Sequence, residues 1–345
     1  MIYKQEIQNK NSEKLKRKLE SEQVPDFIKD FFFNIRSSLG ALNYWVAIKD
    51  LLKYLLENRI IDKSCISEIT PADFVGVKSV HINNYLNSKD KTMSVEEPDS
   101  SNPYLIRVPG MMAPTTLRTR KNIFKSFWNH LIYDQECPVQ VNIVDKVAYK
   151  GLSTASRNDI LQKKLPSEER LNRMENRLSA VEDPVLRVRN LAVFHLLKGS
   201  GIREGELAGL DIFDLCLDEE VPYIKVVGKG KIRKIEARIV YLTGNAVIHL
   251  REWLEVRELL KVKNTKAVFL NKNRKRLNED NIRDIFKKYG EGITPHMIRH
   301  WYVTLLADMG KVIFAQQNSG HKSEKTTINN YVSGVYGMKE ILANM

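Results

Sequence analysis

The sequence predicts a mainly α-helical protein with a small antiparallel β-sheet, divided into two domains. Most of the chain carries apolar residues at helical spacing, as in "ALNYWVAIKDLLKYLLENRII". Two short β-type stretches, "YIKVVGK" and "ARIVYL", flank the Gly228–Gly230 turn region and predict a hairpin. A chain of 345 residues is long enough for two cores, and one stretch near its middle has no apolar period. The expected division is a helical domain over residues 1–150, a linker over 151–165 and a mixed, mainly helical domain over 166–345.

In the first half, "SEKLKRKLESEQ", "VPDFIKDFFFNIRSS", the segment quoted above and "TPADFVGVKSVHINNYLNSK" each read as helix. Pro98, Pro103 and Pro109 interrupt this pattern and predict a long loop over 88–113. Helix resumes at "PTTLRTRKNIFKSFWNHLIYDQ", where Ile123, Phe124, Phe127, Trp128 and Leu131 form one face. Arg118, Lys121 and Lys125 line another, with Arg120 beside them, and this basic side is a candidate phosphate contact. In the second half, "PSEERLNRMENRLSAV" is followed by "DPVLRVRNLAVFHLLKGSG", which is apolar nearly all round and ends in glycine. It is expected to be a buried central helix. A strand is expected around 212–216, then the hairpin, and helices return after Gly244.

Composition narrows the function. The net charge is +13, yet the first hundred residues carry as many acidic as basic side chains. The excess lies in acid-free blocks between Asp99 and Asp134, between Glu220 and Glu236, and between Glu258 and Glu279. Clustered cations suit a polyanion, because each neutralised phosphate releases counterions. Lys231 and Arg233, in the second block, are further candidate DNA contacts. No apolar run is long enough to span a bilayer, and no signal peptide is recognisable. The isolated Cys65, Cys137 and Cys216 indicate neither a disulfide framework nor a metal knuckle. A cytoplasmic, nucleoid-associated protein is expected.

"GITPHMIRHWYV" carries the sharpest local signal. Thr294 is a helix N-cap and Pro295 suits the first helical position. Ile298, Trp301, Tyr302, Leu305, Leu306 and Met309 then form an apolar stripe, from which His296 and Arg299 fall away. A titratable ring and a permanent cation near the positive end of a helix suit an anion such as phosphate. Elsewhere "GSGIREGELAGL" places Arg203 and Glu206 one turn apart, "VVGKGKIRK" places Lys229 between glycines, and "NSGHKSEKTTINNYV" supplies His321 and Tyr331.

In this order the pieces resemble the tyrosine recombinase (phage-type integrase, Xer-like) family. That family reads G-x-R-x-x-E, then G-K-G on a hairpin, T-P-H-x-x-R-H, and G-H followed by a tyrosine. The likeness covers about 166–345 well; over 1–150 it is limited to a helical domain of the kind that precedes the catalytic one. The resemblance implies a core-binding domain followed by a catalytic domain. Arg203 and Arg299 would clamp the scissile phosphate and offset charge in the pentavalent transition state. Tyr331 would attack phosphorus to give a 3′-phosphotyrosyl bond, with His296 as general base. His321 would bind a non-bridging oxygen, Lys229 would protonate the leaving 5′ oxygen, and Glu206 and His300 would support the site. No metal or other cofactor is required.

Three departures are visible. The His321–Tyr331 interval is one residue longer than usual, leaving Tyr336 as the alternative nucleophile. "NS" replaces the apolar pair that usually precedes Gly-His, and the long hairpin leaves Lys231 and Lys234 as alternatives to Lys229. The implied partners are duplex recombination sites with inverted repeats, bound by four protomers on two sites. The 98–114 loop and the N-terminal extension favour integration or excision of a mobile element over dimer resolution. A type IB topoisomerase shares the chemistry, but the short tail after Tyr331 and the small first domain favour a recombinase. A catalytically silent DNA-binding regulator would be expected to have lost at least one of these residues.

Overall fold

The apolar periodicities become helices in a computed structural model that describes residues 3–90, 111–133, 137–149, 165–228, 237–262 and 265–320. The chain forms two compact units, within 3–157 and 158–345. The first contains α1 (Tyr3–Ser21), α2 (Asp26–Phe33), α3 (Ser38–Glu57), α4 (Ser79–Ser88) and α5 (Pro114–Tyr133). Helix α3 packs on α1, α4 and α5. Trp45, Ile48, Leu52 and Leu55 of α3 and Phe124, Phe127 and Trp128 of α5 are buried in this core. Phe74 meets Phe127 and Trp128 edge-on, the geometry favoured by ring quadrupoles.

The single helix expected over 70–89 is divided. The Asp73 carboxylate accepts the Thr70 N–H at 2.7 Å and closes a 3₁₀ turn over Pro71–Phe74 that buries Phe74. Gly76, a poor helix former, follows the turn, and helix restarts at Ser79, where His81 Nδ1 accepts the Lys78 N–H. At the borders of the expected long loop, the Met112 N–H donates to the Lys89 carbonyl at 2.6 Å. Buried Asp90 accepts the Tyr149 hydroxyl, also at 2.6 Å. The rest of that loop and most of the expected linker lie outside the described residues.

The second unit contains α6 (Glu168–Ser179), α7 (Pro184–Ser200), α8 (Glu204–Ala208), strands β1 (Leu215–Cys216), β2 (Tyr223–Val227) and β3 (Ala237–Tyr241), α9 (Gly244–Leu259), α10 (Glu279–Tyr289), α11 (Pro295–Asp308) and α12 (Val312–Ser319). Asp183 caps α7 by accepting the Leu186 N–H, Pro184 opens it, and left-handed Gly201 ends it. Helix α7 is the expected centre, packed by α6, α9 and α11. Its crossing with α9 is close because residue 199 is glycine: a Cβ there would lie 2.1 Å from Thr243 Oγ1.

The sheet is antiparallel in the order β1-β2-β3, with Ile224 opposite Val240 and Val227 opposite Ala237. Ile224, Val226 and Val240 face inward, while Ile239 and Tyr241 are exposed. The strand expected around 212–216 is only two residues long. Asp214 accepts the Asp211 N–H and turns Ile212–Asp214 into a 3₁₀ helix before β1. Among the described residues no helix is long and apolar enough to cross a membrane.

His195 on α7 is 4% exposed and stacks on His249 of α9 with centroids 4.0 Å apart. Burial first, then His249 and Lys198, lower its pKa to about 3. Glu175 lies 3.3 Å from Nε2 but out of line for a hydrogen bond. An unfolded histidine titrates near 6.5, so between there and about 3 the unfolded chain binds a proton that folded His195 refuses. This contribution is complete above pH 6.5 and falls as pH drops. Urea unfolding between pH 7 and 4 should show His195→Gln losing less stability with acid, by up to about 1.4 kcal/mol per pH unit. Equal slopes for the variant and the parent would contradict a neutral buried ring.

Candidate active site

The end of α7 and the start of α8 place the first cation. Gly201 reverses the chain at φ 64°, and Arg203 takes the N-cap of α8. Glu206 folds back on it: Oε2 accepts the Arg203 N–H at 2.9 Å and Oε1 accepts its guanidinium at 3.0 Å. Arg238 of β3 donates to Oε1 and Oε2 at 3.1 and 2.9 Å. Burial pushes the Glu206 pKa up, but Arg238 and then Arg203 more than offset it, so the group stays below the ordinary carboxylate range.

Helix α11 places the second cation. Thr294 Oγ1 accepts the Met297 N–H at 3.2 Å, and Pro295 occupies the first turn as expected. Arg299, expected off the apolar stripe, is instead 2% exposed. It donates to the Gly201 carbonyl at 2.6 Å and the Ser319 carbonyl at 2.7 Å. The reason is that α11 is covered by both α7 and α12, so its buried face is wider than one stripe. Ile298, Trp301 and Tyr302 are buried as expected, Leu305 and Leu306 are half-buried, and Met309 is 49% exposed.

Arg203 also donates to the Ser319 carbonyl, at 3.3 Å, so both arginines converge on the C-terminal end of α12. Carbonyls there carry partial negative charge. His296 keeps an exposed edge, and its Nε2 lies 2.9 Å from that of His300, so one ring donates and the other accepts. The protein packed around His296 lowers its pKa, as do Arg299 and Arg203, against an opposing Glu204. A neutral imidazole beside two cations can accept a proton.

Lys229, Lys231, Arg233, His321, Tyr331 and the alternatives Lys234 and Tyr336 lie outside the described residues. Of the expected catalytic and supporting residues, the structure describes the placement of Arg203, Glu206, His296, Arg299 and His300. Sequence reasoning missed Arg238, Asn318 and Ser319. Arg238 shares strand parity with inward-facing Val240, and a cation at an inner strand position was the available signal. Asn318, in the polar pair that departs from the family pattern, exchanges hydrogen bonds with the Tyr241 backbone and donates to the Tyr302 hydroxyl.

On α5 the expected basic side needs correction. Arg120 is buried, donating to Asp50 at 2.7 Å and to the Tyr85 hydroxyl. Burial pushes that phenol up to about 12 despite the cation. Lys121 donates to the Val147 and Tyr149 carbonyls, and burial lowers its pKa. Lys125 pairs with Asp145, while Arg118 is exposed. Packing against α3, α4 and the 143–149 segment draws the inner cations into the fold. Among the described residues no cluster of His, Cys, Asp and Glu could hold a metal.

The placement of Arg203 depends on Gly201, where a Cβ would lie 2.3 Å from the Tyr302 ring. Gly201→Ala should destabilise by roughly 2–4 kcal/mol, combining left-handed strain with overpacking. Gly244, with nothing within 4 Å of a Cβ, is the control, and Gly244→Ala should be near neutral. Urea unfolding compares the two, and equal effects would remove Gly201 from this role.

Residues 169–336 match the Phage integrase family. The tyrosine recombinase XerC of Psychromonas ingrahamii is 28% identical over 219 residues, covering 61% of this chain and 68% of that protein. XerC of Neisseria gonorrhoeae is 38% identical over 172 residues, covering 48% of this chain but only 53% of the relative. The chain thus spans about half to two thirds of these relatives. The fold is shared with the XerH site-specific recombinase bound to palindromic difH substrate in a post-cleavage complex. That match has a TM-score of 0.62 at 19% identity and covers 89% of this chain and 80% of the other. It is also shared with a lambda integrase dimer bound to a COC′ core site, at a TM-score of 0.56 and 14% identity over 89% and 94% of the two chains. Sequence and fold therefore agree: residues 169–336 form a phage integrase family domain of the tyrosine recombinase type.

Proposed function

We propose that this chain cleaves and rejoins DNA at specific sites through a 3′-phosphotyrosyl intermediate, with the first unit binding the core site and the second carrying out catalysis. The observation that carries this reading is the convergence of Arg203 and Arg299 on the Ser319 carbonyl, two residues before His321. Two guanidiniums fixed by backbone acceptors are oriented before substrate arrives. His296 accepts the proton of the Tyr331 hydroxyl as it attacks, and returns it in the reverse step. His321 binds a non-bridging oxygen, and Lys229 gives a proton to the departing 5′ oxygen. Glu206 and His300 support these groups. The phosphotyrosine conserves bond energy for religation, so the reaction needs no nucleotide.

Covalent capture tests this. On a nicked duplex selected by the wild-type protein from a random pool, Tyr331→Phe should bind but form no adduct. Adduct formation by that variant, with loss in Tyr336→Phe, would identify Tyr336 instead. Lys229→Ala should cleave at least ~10²-fold more slowly, the low end for lost general-acid catalysis. Sulfur at the bridging 5′ position leaves without a proton and should restore most of that loss, but not the loss in Arg203→Ala. Rescue of Lys231→Ala with Lys229→Ala still slow would make Lys231 the acid.

The programme we favour is integration or excision of a mobile element. Dimer resolution is the second reading, supported by the XerC relatives. Adducts mapped on genomic DNA would lie at element ends in the first case and at one chromosomal locus in the second.

Strand exchange joins four DNA arms, so the active assembly is four protomers on two sites with inverted repeats. Val335, Met338, Ile341 and Leu342 recur at helical spacing in the last segment, which docks on a neighbouring protomer. Deleting 334–345 should preserve folding of the single chain and abolish cooperative two-site binding in gel-shift titrations. Unchanged cooperativity would refute this docking.

A further inference from the structure

Arg238 reaches from β3 to two other elements. It donates to both carboxylate oxygens of Glu206 on α8, and from Nε and Nη2 to the Asn318 carbonyl on α12 at 3.3 and 3.2 Å. The backbone accommodates it closely: Gly320, at φ 66°, lies where a Cβ would come within 2.9 Å of the Arg238 guanidinium. Asn318 completes the junction through the Tyr241 backbone and the Tyr302 hydroxyl. One guanidinium therefore joins β3, the carboxylate behind Arg203, and the helix that precedes His321 in sequence.

Resting on the recombinase reading, we propose that Arg238 is a positioning residue for DNA cleavage. It holds Glu206 as the carboxylate that orients Arg203, and it latches the C-terminal end of α12 to the sheet. The task suits arginine. A planar fork can grip a carboxylate with two N–H groups and still present others to a carbonyl, whereas an ammonium offers a point charge. Among the described residues the charged groups facing Glu206 are Arg238 from β3 and Arg203 from the α8 N-cap. Without Arg238 the carboxylate, its side chain 2% exposed, keeps one cation and takes up a proton more readily. A protonated Glu206 loses its charge-assisted hold on Arg203.

The test uses full-length wild-type protein, Arg238→Gln and Arg238→Lys. Carbon-13 carboxyl NMR of the DNA-free proteins, with Glu206→Gln to assign the resonance, should show the Glu206 midpoint rising by about one pH unit or more in Arg238→Gln. A midpoint that stays in place overturns the proposal, whether or not DNA is cut. On the selected nicked duplex, adduct formation by Arg238→Gln should be ~10- to 100-fold slower at pH 7, the scale of a misplaced clamp. The deficit should deepen toward acid pH, with affinity within about threefold of wild type. A deficit equal at every pH, matched by a lower unfolding midpoint, would make Arg238 a packing residue only and overturn the proposal. If Arg238→Gln does not fold, Arg238→Lys carries both measurements, with a smaller shift in the same direction. A wild-type protein that forms no adduct while the Glu206 midpoint still moves would overturn the recombinase reading and leave the latch intact.

Discussion

The second unit is organised around one electrostatic constraint, the neutralisation of neighbouring guanidiniums. Arg203 and Arg299 reach the same carbonyl, and Arg238 and Arg203 reach the same carboxylate. Like charges brought together in a partly buried site repel, and each sacrifices hydration. Glu206 supplies a full negative charge, and the end of α12 supplies carbonyl dipoles. Three arginines against one carboxylate leave the cluster positive. A second carboxylate would cancel more of that charge; loss of Glu206 would leave cations uncompensated, a change that costs about 3–5 kcal/mol when a buried pair is broken.

The surrounding fold follows from where those acceptors must be. Arg299 bonds the Gly201 carbonyl at the end of α7 and the Ser319 carbonyl at the end of α12, so the two helix ends must meet over α11. Close approach is possible because Gly201 presents no side chain to Tyr302, and because Gly320 leaves room for Arg238. Tyr302 then spends its hydroxyl on Asn318, whose amide also pairs with β3. Polar groups that would be costly if buried alone are thereby satisfied by one another. The polar pair Asn318-Ser319 is part of this network rather than a lapse in local packing.

Local signals were the most legible part of the sequence. Thr294-Pro295 marked a helix start because capping and proline placement depend on a few adjacent residues. The arginines and histidines of the site were legible from the family's motif spacing. What escaped depends on the third dimension. A single apolar stripe predicted Arg299 outside the core, because periodicity along one helix cannot register coverage by both α7 and α12. The break at 75–78 escaped because Thr70 and Asp73 close a turn within a stretch of good helix pattern. Arg238 escaped because its partners are Glu206 and Asn318, distant in sequence and drawn together only by the sheet.

The same limit applies to reading charge from sequence. Acid-free blocks suggested surfaces for a polyanion, yet several of their cations serve the fold. Arg120 is held by Asp50 and Tyr85, and Lys121 by two carbonyls. Arg276 bonds the carbonyls of Ala208 and Leu210 as well as Asp211. A cation committed to a carbonyl or a carboxylate inside the protein displaces no counterion from DNA, so it adds little to the salt dependence of binding. The electrostatic footprint is therefore smaller than the count of lysines and arginines implies. It belongs to side chains such as Arg118, which the fold leaves in solvent. Helix α5 thus holds its domain together through Arg120 and Lys121, while Arg118 stays in solvent on its outer side.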